Sequence, residues 1–407
     1  MTTLALLGYG TVGTGFIELV DKNKNRGPVE NSLEVTSILV KNKDKHRGKN
    51  HFSLVTDSID DVFSRPLDIL VEVIGGLHPA YEYVKKALLC KKHVITANKD
   101  LIAEYGDELL TIAKEQGVLL SFEASVGGGI PIISPMVNSL IGNDISTITA
   151  ILNGTTNFIL TKMSKDNMSY KDALSLAQSL GFAEANPEAD VMGYDAARKL
   201  SILSTLGFRT SVPWANIPTE GIVDIKPIDF EFANSNNFTI KLVAKSFFKT
   251  NSIFSRVSPM LVPNDSPLYS VDNEFNMIYL YGDAVGDVTF YGKGAGMFPT
   301  ASSIYSDVIN AILENKNCLI FNNEKIKLEK YYMYPNLYMI RFKGSTEEKF
   351  LSFVADVFHD ITIKELSFHE DYLLCFAQFP NEVVLENKLS KIKVIYPNIE
   401  VKSFMSI

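Results

Sequence analysis

The sequence has 407 residues, enough for two or three domains, and 46% of them are hydrophobic and 21% charged, which indicates a globular chain. The formal net charge of −8 argues against a nucleic-acid binder or a protein attracted to anionic membranes. Three scattered cysteines, Cys90, Cys318 and Cys375, predict neither a disulfide framework nor a paired metal site. Because the N-terminus does not resemble a signal peptide and no run of about 18 apolar residues predicts a membrane span, we expect a soluble cytoplasmic protein.

Apolar runs that read as buried strands alternate with helical patterns up to about residue 130. Strands are expected at 3–7, 33–40, 67–75, 93–99 and 118–125, with helices at 12–22, 81–91 and 104–116 between them. This alternation is typical of βαβ units. It predicts an α/β protein whose N-terminal domain, 1–130, is a Rossmann-like doubly wound parallel sheet.

After residue 130 the pattern changes. A strand near 147, helices at 155–181 and 191–208, and long strand-like runs such as TIKLVAKSFF and NMIYLYGDAV follow one another. They predict an α+β catalytic and dimerisation domain over 131–318. An amphipathic helix at 300–314 is expected to return to the first domain and close it.

The polar stretch 314–330 reads as a linker, and the residues after it alternate once more. Strand, helix, strand, strand, helix and strand patterns run in that order through 329–407, which predicts a βαββαβ module. This module resembles an ACT domain, a fold that often binds amino acids. Its first strand-to-helix turn, KGSTEEKF, lacks the D-x-P-G type of loop that often frames the effector, so a structural or oligomerising role stays open.

A glycine-rich loop follows the first predicted strand. Gly8, Gly10 and Gly13 match G-x-G-x-x-G, with Thr11 and Val12 at the expected start of a helix. In this context the glycines allow a tight turn and a close approach of the backbone to a pyrophosphate. The motif favours a dinucleotide site over a glycine-rich turn without a ligand.

The residues after the second predicted strand bear on the choice of dinucleotide. The strand ends at Val40 and continues with Lys41, and the only acid that follows, Asp44, stands among cations. An acid at the strand tip would suit the ribose hydroxyl of NAD, whereas a cation suits the 2′-phosphate of NADP. The loop favours NADP, although use of both cofactors and a merely solvated basic loop stay open.

The segment EANPEADVMGYDAARKL, residues 184–200, concentrates four acids and two cations. If a helix begins after Pro187, Asp195 and Lys199 lie one turn apart on one face. An ion-paired surface helix explains this spacing as well as an active site does.

The distribution of histidines favours the active site over the surface helix. All six histidines lie outside residues 94–358, so a histidine-based proton transfer is not expected in the second domain. A lysine serves instead where burial or a second cation lowers its pKa. Lys99, at the C-terminal end of a predicted sheet strand, is placed to be that second cation near a nicotinamide.

Six motifs of the sequence closely resemble those of homoserine dehydrogenase. The motifs GYGTVG, ITANKDLI, FEASVGGGIPII, LNGTTNFIL, GFAEANPEADVMGYDAARKL and GKGAGMFPTASSIYSDVI occur in the family's order and span roughly residues 4–310. The family interconverts L-homoserine and L-aspartate 4-semialdehyde with NAD or NADP, on the route to threonine, methionine and isoleucine. The resemblance implies the monofunctional form, with a homodimer or a dimer of dimers and no nucleic-acid or membrane partner.

The resemblance also implies roles for individual residues. Lys199 would be the catalytic proton donor and Lys99 its companion near substrate and cofactor. Glu184 would hold the substrate through its ammonium group, and Asp190 and Asp195 would line the same pocket.

Further ligand positions follow from the same resemblance. Cofactor contacts would come from Gly8, Gly10, Thr11, Val12, Gly13, Lys41, Lys99, Gly181 and Gly296. A sodium ion would be held, mainly through main-chain carbonyls, by Glu123, Val126, Gly128 and Ile130, and hard oxygen ligands suit such an ion. The ACT-like module would be a possible site for an amino-acid effector, commonly threonine.

Two other functions remain compatible with the sequence. One is another NAD(P)-linked oxidoreductase that acts on a small amino or oxo acid. The other is a sensor without catalysis, which would lack a lysine or a substrate acid, although Lys99, Glu184, Asp195 and Lys199 are all present.

Overall fold

A computed structural model describes residues 1–24, 32–313, 326–344, 346–369 and 371–407. Most of the predicted linker at 314–330, together with the predicted domain boundary at 318, lies outside these residues. Within the described ranges, no helix combines the length and the apolar character that crossing a membrane requires.

The secondary structure alternates as the sequence predicts. The strands are β1 (Thr2–Leu7), β2 (Leu33–Leu39), β3 (Val55–Thr56), β4 (Ile69–Glu72), β5 (His93–Thr96), β6 (Leu120–Ser121), β7 (Ile145–Ile151), β8 (Phe238–Lys249), β9 (Ser252–Pro263), β10 (Phe275–Gly282), β11 (Gly286–Lys293), β12 (Lys327–Glu329), β13 (Asn336–Lys343), β14 (Thr362–His369), β15 (Tyr372–Phe379) and β16 (Glu400–Ser406). The helices are α1 (Thr11–Asn23), α2 (Ile59–Ser64), α3 (Ala80–Leu89), α4 (Lys99–Gln116), α5 (Gly154–Asp166), α6 (Tyr170–Ser179), α7 (Glu188–Val191), α8 (Tyr194–Phe208), α9 (Pro227–Ser235), α10 (Met297–Ile312), α11 (Glu347–Val357) and α12 (Glu382–Ile395).

The chain divides into two compact units, neither of which is continuous in sequence. The first contains 1–148, 198–216 and 276–325, and the second contains 149–197, 217–275 and 326–407. The predicted domains 1–130, 131–318 and 329–407 stay a prediction.

The first unit is built on a six-stranded parallel sheet in the order β3-β2-β1-β4-β5-β6. This is the strand order of the doubly wound dinucleotide-binding fold, so the predicted Rossmann-like sheet is confirmed. Its central strands are apolar and fully buried, as parallel strands covered on both faces must be. The side chains of Leu4, Leu6, Ile69 and Val71 are 0% exposed and form the centre of the core.

Helix α10 packs on this core beside α1, which confirms the predicted amphipathic helix near 300–314. The packing is close at Gly15, where an added Cβ would lie 2.7 Å from Cγ of Met297 and 3.1 Å from its carbonyl oxygen. Residues Ile304 and Val308 of α10 are completely buried in the same core cluster.

We expect Gly15→Ala to be less stable than Gly106→Ala by about 1–3 kcal/mol, because overpacking opposes the gain in helix propensity. Gly106, inside α4, is the matched control, since a Cβ there would meet Ile102 at an ordinary 3.4 Å. Thermal unfolding of the two variants measures the difference. Equal stabilities would contradict the close packing of α1 on α10.

The second unit contains a mixed sheet in which six strands follow in the order β8-β9-β16-β13-β15-β14. The long strands β8 and β9 pair antiparallel from Phe238 opposite Pro263 to Lys249 opposite Ser252. Short strand β12, which lies within the predicted linker, pairs parallel with β9.

The C-terminal elements occur in the predicted order βαββαβ, from β13 to β16. The strand β16 joins the module to β9 by parallel pairing at Met405 and Ser406. The likeness of this module to an ACT domain stays a prediction.

Two predicted helices are interrupted in the structure. The stretch expected at 155–181 forms α5 and α6, separated by Asn167 in the left-handed conformation (φ +51°). The single helix expected after Pro187 is wrong, because α7 ends and α8 begins around Gly193, whose φ is +82°. A residue with this φ ends a regular helix.

Candidate active site

The glycine-rich loop between β1 and α1 is shaped by close backbone contacts. Gly8 has a φ of +106°, and an added Cβ would lie 2.8 Å from the carbonyl oxygen of Val73. A Cβ on Gly13 would lie 2.1 Å from the carbonyl oxygen of Gly8. Gly10 caps α1 without a side-chain hydrogen bond. The N–H groups of a first helical turn have no acceptor within the helix, which is what an anion site requires.

The basic loop after β2 supplies a lysine that the sequence analysis missed. Lys41 is exposed beyond the strand end, whereas the half-buried Lys49 donates from Nζ to the carbonyl oxygen of Tyr9 at 3.1 Å and to Oγ1 of Thr14 at 3.0 Å. Its Nζ also lies 4.3 Å from the centre of the Tyr9 ring. A positive charge therefore lies against the dinucleotide loop, where phosphate groups are expected. No spacing rule singles out this lysine, because its neighbours in space are distant in sequence.

A buried carboxylate connects the loops that follow β4 and β5. Glu72 is 0% exposed, and its Oε1 accepts hydrogen bonds from the backbone N–H groups of Ile74 at 2.8 Å and Gly75 at 3.1 Å. Its Oε2 accepts the hydroxyl of Thr96. Burial raises the pKa of Glu72, and these hydrogen bonds oppose the rise.

The same network determines where α4 begins, and with it the position of Lys99. Asn98 donates from its backbone N–H to Oγ1 of Thr96 at 3.0 Å and from Nδ2 to the carbonyl oxygen of Gly76 at 2.6 Å. Its Oδ1 caps α4 by accepting the N–H of Leu101 at 3.1 Å. Lys99 is the first residue of this helix, at the C-terminal edge of the parallel sheet, where dinucleotide-binding sheets hold their ligands.

We expect Glu72→Gln to destabilise the protein by about 1–3 kcal/mol and to raise KM for the dinucleotide, because the amide NH₂ replaces an acceptor with a donor. Glu115→Gln, at an exposed position of the same unit, is the control and should change neither quantity. Thermal unfolding and initial rates at varied cofactor concentration measure both effects. A wild-type KM in a destabilised variant would limit Glu72 to a purely structural role.

Arg198, the neighbour of Lys199 on α8, is held against α4. Its Nε lies 3.1 Å from Oδ1 of Asp100, and its guanidinium carbon lies 4.3 Å from the centre of the Trp214 ring. Trp214 in turn donates from Nε1 to Oε2 of Glu104 at 2.9 Å. These contacts place the start of α4, where Lys99 lies, beside the part of α8 that carries Lys199. Lys199 as a whole residue is only 9% exposed.

In the second unit, an asparagine brings together two of the predicted substrate carboxylates. Nδ2 of Asn153 donates to Oδ1 of Asp190 at 2.7 Å and to Oδ2 of Asp195 at 2.9 Å. The Oδ1 of Asn153 caps α5 through the N–H of Thr156 at 2.8 Å. Asn153 was not among the predicted site residues, although an asparagine directly before a helical run is a recognisable N-cap signal.

The predicted partners Glu184 and Gly181 lie on the exposed turn that follows α6. Gly181 has a φ of +77°, and the main-chain carbonyl of Glu184 accepts Nε2 of Gln178 at 3.2 Å. The carboxylate of Glu184 is exposed and stands ahead of α7 in the chain. Gly296, another predicted cofactor contact, caps α10 without a side-chain hydrogen bond.

The loop predicted to hold sodium is organised by Glu123. Its buried carboxylate accepts the backbone N–H groups of Ile132 at 2.6 Å, Ile133 at 2.8 Å and Ser134 at 2.6 Å. Burial raises the pKa of Glu123. The carboxylate is thus already bound to the backbone, which leaves main-chain carbonyls as the available ligands.

Those carbonyls lie on an irregular turn. Gly127 and Gly128 both have left-handed φ values, +73° and +56°, and the Gly128 carbonyl accepts the hydroxyl of Ser303 at 2.7 Å. Across the described residues, no group of three or more His, Cys, Asp or Glu side chains is arranged to bind a metal. A carbonyl site for a hard cation is compatible with this loop, because such ions accept neutral oxygen ligands.

The parallel sheet and the glycine-rich loop are typical of the dinucleotide-binding domain of NAD(P)-dependent oxidoreductases. Family models agree: residues 8–123 match the description "Homoserine dehydrogenase, NAD binding domain", and residues 131–309 match "Homoserine dehydrogenase". The chain belongs to the homoserine dehydrogenase family.

Individual relatives support the same assignment. A homoserine dehydrogenase of Bacillus subtilis is 43% identical over 324 residues, which cover 79% of this chain and 75% of that protein. The crystal structure of a homoserine dehydrogenase from Thiobacillus denitrificans superposes with a TM-score of 0.91 at 32% identity, covering 100% of this chain and 98% of that one. A hyperthermophilic archaeal homoserine dehydrogenase in complex with NADPH gives a TM-score of 0.66 at 30% identity, covering 78% and 99%. The family predicted from the sequence motifs is confirmed, and the two alternative functions are set aside.

Proposed function

We propose that this chain interconverts L-homoserine and L-aspartate 4-semialdehyde and that Lys199 transfers the proton in this reaction. The observation that carries the proposal is the position of Lys199 on α8: it is buried, one turn after Asp195, whose carboxylate Asn153 ties to that of Asp190. A buried lysine and paired carboxylates on one short stretch of chain can serve the alcohol end and the ammonium end of the same small amino acid.

The bound dinucleotide would supply or accept the hydride. In the direction of reduction, the aldehyde oxygen gains negative charge and takes a proton from Nζ of Lys199, which becomes neutral. In the direction of oxidation, Lys199 accepts the hydroxyl proton of homoserine. Lys99, at the start of α4, stabilises the developing alkoxide as a second cation, and a fixed charge of this kind lowers the barrier without rearrangement of solvent.

Lys199→Ala is expected to lose about 10²- to 10⁴-fold in kcat, the usual contribution of a positioned acid or base, while cofactor affinity stays near that of the wild type. The assay follows the absorbance of the reduced nicotinamide with L-homoserine and each dinucleotide in turn. Lys114→Ala, at an exposed position on α4, is the control. Turnover within a few-fold of the wild type in Lys199→Ala would exclude the assignment, and no turnover in the wild-type protein would exclude the reaction itself.

We further propose that the carboxylates of Glu184, Asp190 and Asp195 bind the ammonium group of the substrate. Asp195 is 5% exposed, and Asn153 holds its carboxylate next to that of Asp190. Two adjacent carboxylates favour the approach of a cation such as an amino-acid ammonium group. The exposed carboxylate of Glu184 is free to approach the substrate from the turn after α6.

Glu184→Gln is expected to raise KM for homoserine about tenfold or more, the effect of removing one charged partner, while kcat changes less. Glu188→Gln removes an exposed carboxylate four residues further along and should leave KM unchanged. Initial rates at varied homoserine concentration distinguish the two variants. An unchanged KM in Glu184→Gln would remove this residue from the substrate site.

For the cofactor, we propose a preference for NADP over NAD. Lys41 stands at the end of β2, and Lys49 places its ammonium group on the dinucleotide loop. No acid occupies the strand tip to bind a ribose hydroxyl.

The cofactor proposal predicts that Lys49→Met raises KM for NADPH more than KM for NADH. The 2′-phosphate of NADPH loses more binding free energy when a cation is removed than the ribose 2′-hydroxyl of NADH does. The magnitude expected is about tenfold, which corresponds to one charge-assisted hydrogen bond. Lys45→Met, an exposed member of the same basic loop, is the control. Equal effects on both cofactors would favour a general role of Lys49 in shaping the loop.

The remaining proposals concern groups outside the reaction itself. We propose a structural sodium ion on the carbonyls of Glu123, Val126, Gly128 and Ile130, supported by the left-handed turn at 127–128. Gly181 and Gly296 would let the backbone approach the cofactor. A homodimer or dimer of dimers and an amino-acid effector at the βαββαβ module complete the proposal.

A further inference from the structure

A segment of the second unit, residues 217–229, lies between α7 and the C-terminal module, and we call it the bridging segment. Its residues 221 and 222 are packed against the helix that carries Asp190. The backbone N–H of Ile222 donates to the carbonyl oxygen of Val191 at 2.9 Å, and a Cβ on Gly221 would lie 2.4 Å from that same oxygen. Since no space separates the two backbones, a shift of the bridging segment displaces the end of α7.

The bridging segment also contacts the junction between α7 and α8. A Cβ on Gly193 would lie 3.0 Å from Cγ2 of Thr219 and 3.3 Å from Cγ1 of Val257. The backbone N–H of Glu220 donates to the carbonyl oxygen of Val257 at 2.8 Å, which attaches the segment to β9. The turn that separates Asp190 from Asp195 therefore rests directly on this segment.

Its other contacts are with two cations of the C-terminal module. Arg341 on β13 and Lys402 on β16 are cross-strand partners, so their side chains leave the same face of the sheet. Arg341 forms an ion pair with the fully buried Asp229 and donates to the carbonyl oxygen of Asp224 at 3.0 Å. Lys402 forms an ion pair with Glu220. Both cations thus attach the bridging segment to the C-terminal module.

From these contacts we infer that Arg341 and Lys402 are positioning residues for the substrate carboxylates. Both act through the bridging segment, which presses on α7 and on Gly193 and so determines the separation of Asp190 and Asp195. The C-terminal module is then a part of the substrate-binding apparatus, in addition to any role as a receptor for an effector. This inference rests on the proposed assignment of Asp190 and Asp195 to the substrate ammonium group.

Lys402 offers the cleaner test, because its partner Glu220 has a side chain 49% exposed and stays hydrated when the cation is removed. Removing Arg341 would instead leave the buried Asp229 without its ion-pair partner, and the variant could fail to fold. We expect Lys402→Met to raise KM for homoserine about threefold to tenfold, the range of coupling through packed contacts, with kcat and KM for the cofactor within about twofold of the wild type. Glu220→Gln should give the same change, and the double variant no more than either single one.

Lys343→Met is the matched control, because Lys343 forms a similar cross-strand pair with Glu400 on β13 and β16 and has an exposed side chain. It should leave KM for homoserine unchanged. An unchanged KM in Lys402→Met, an equal rise in KM for the cofactor, or additive effects in the double variant would each overturn the inference. Thermal unfolding of all variants separates a loss of stability from a change at the site.

Asp190→Asn, measured in the same assay, separates this inference from the proposed function. If Asp190→Asn leaves KM for homoserine unchanged, the assignment of the substrate site is wrong, and the inference is overturned with it. If Asp190→Asn raises KM whereas Lys402→Met does not, the site assignment stands and only the coupling fails.

Discussion

The amide of Asn153 imposes the constraint on which the second unit depends. Its NH₂ group holds two carboxylates that would otherwise repel each other, and its carbonyl oxygen simultaneously begins helix α5. One side chain therefore uses all of its polar atoms, so neither acid can turn away without exposing an unsatisfied amide hydrogen. The positions of α7, α8 and α5 are coupled at this residue. In the proposed function, the substrate ammonium group meets two carboxylates that the protein has already brought together.

In the first unit, Glu72 has a comparable function. It holds backbone N–H groups in place, whereas Asn153 holds two carboxylates. Its carboxylate holds the turn after β4 and the hydroxyl of Thr96, and Asn98 continues the network into the first turn of α4. The C-terminal edge of the sheet is consequently held by hydrogen bonds where Lys99 begins its helix. Preorganisation of this kind is what an electrostatic contribution to catalysis requires.

Features with a local signal in the sequence were predictable. The glycine-rich loop was recognisable because its three glycines lie within six residues of one another. Asp195 and Lys199 are four residues apart in the chain and lie on one helix, α8, as expected. The break at Gly193 was missed because glycine is tolerated in helices, and the residue that crowds any side chain at this position, Thr219, is distant in the chain. Lys49 was missed for the same reason, because only the folded sheet brings it near the glycine-rich loop. Glu72 was missed because its contact with Thr96 also depends on the folded sheet. Charge and hydrophobicity patterns contain no information of that kind.

The contacts of Arg198 have a practical consequence. Trp214, which stacks on that guanidinium, is the only tryptophan in the sequence, so its fluorescence originates from a single place, beside the residue that precedes Lys199. Its emission depends on the polarity and the neighbouring charges of the indole ring, and these change when α8 moves relative to α4. The unmodified protein therefore contains an intrinsic optical probe within one residue of its proposed proton donor, suited to stopped-flow observation without labels.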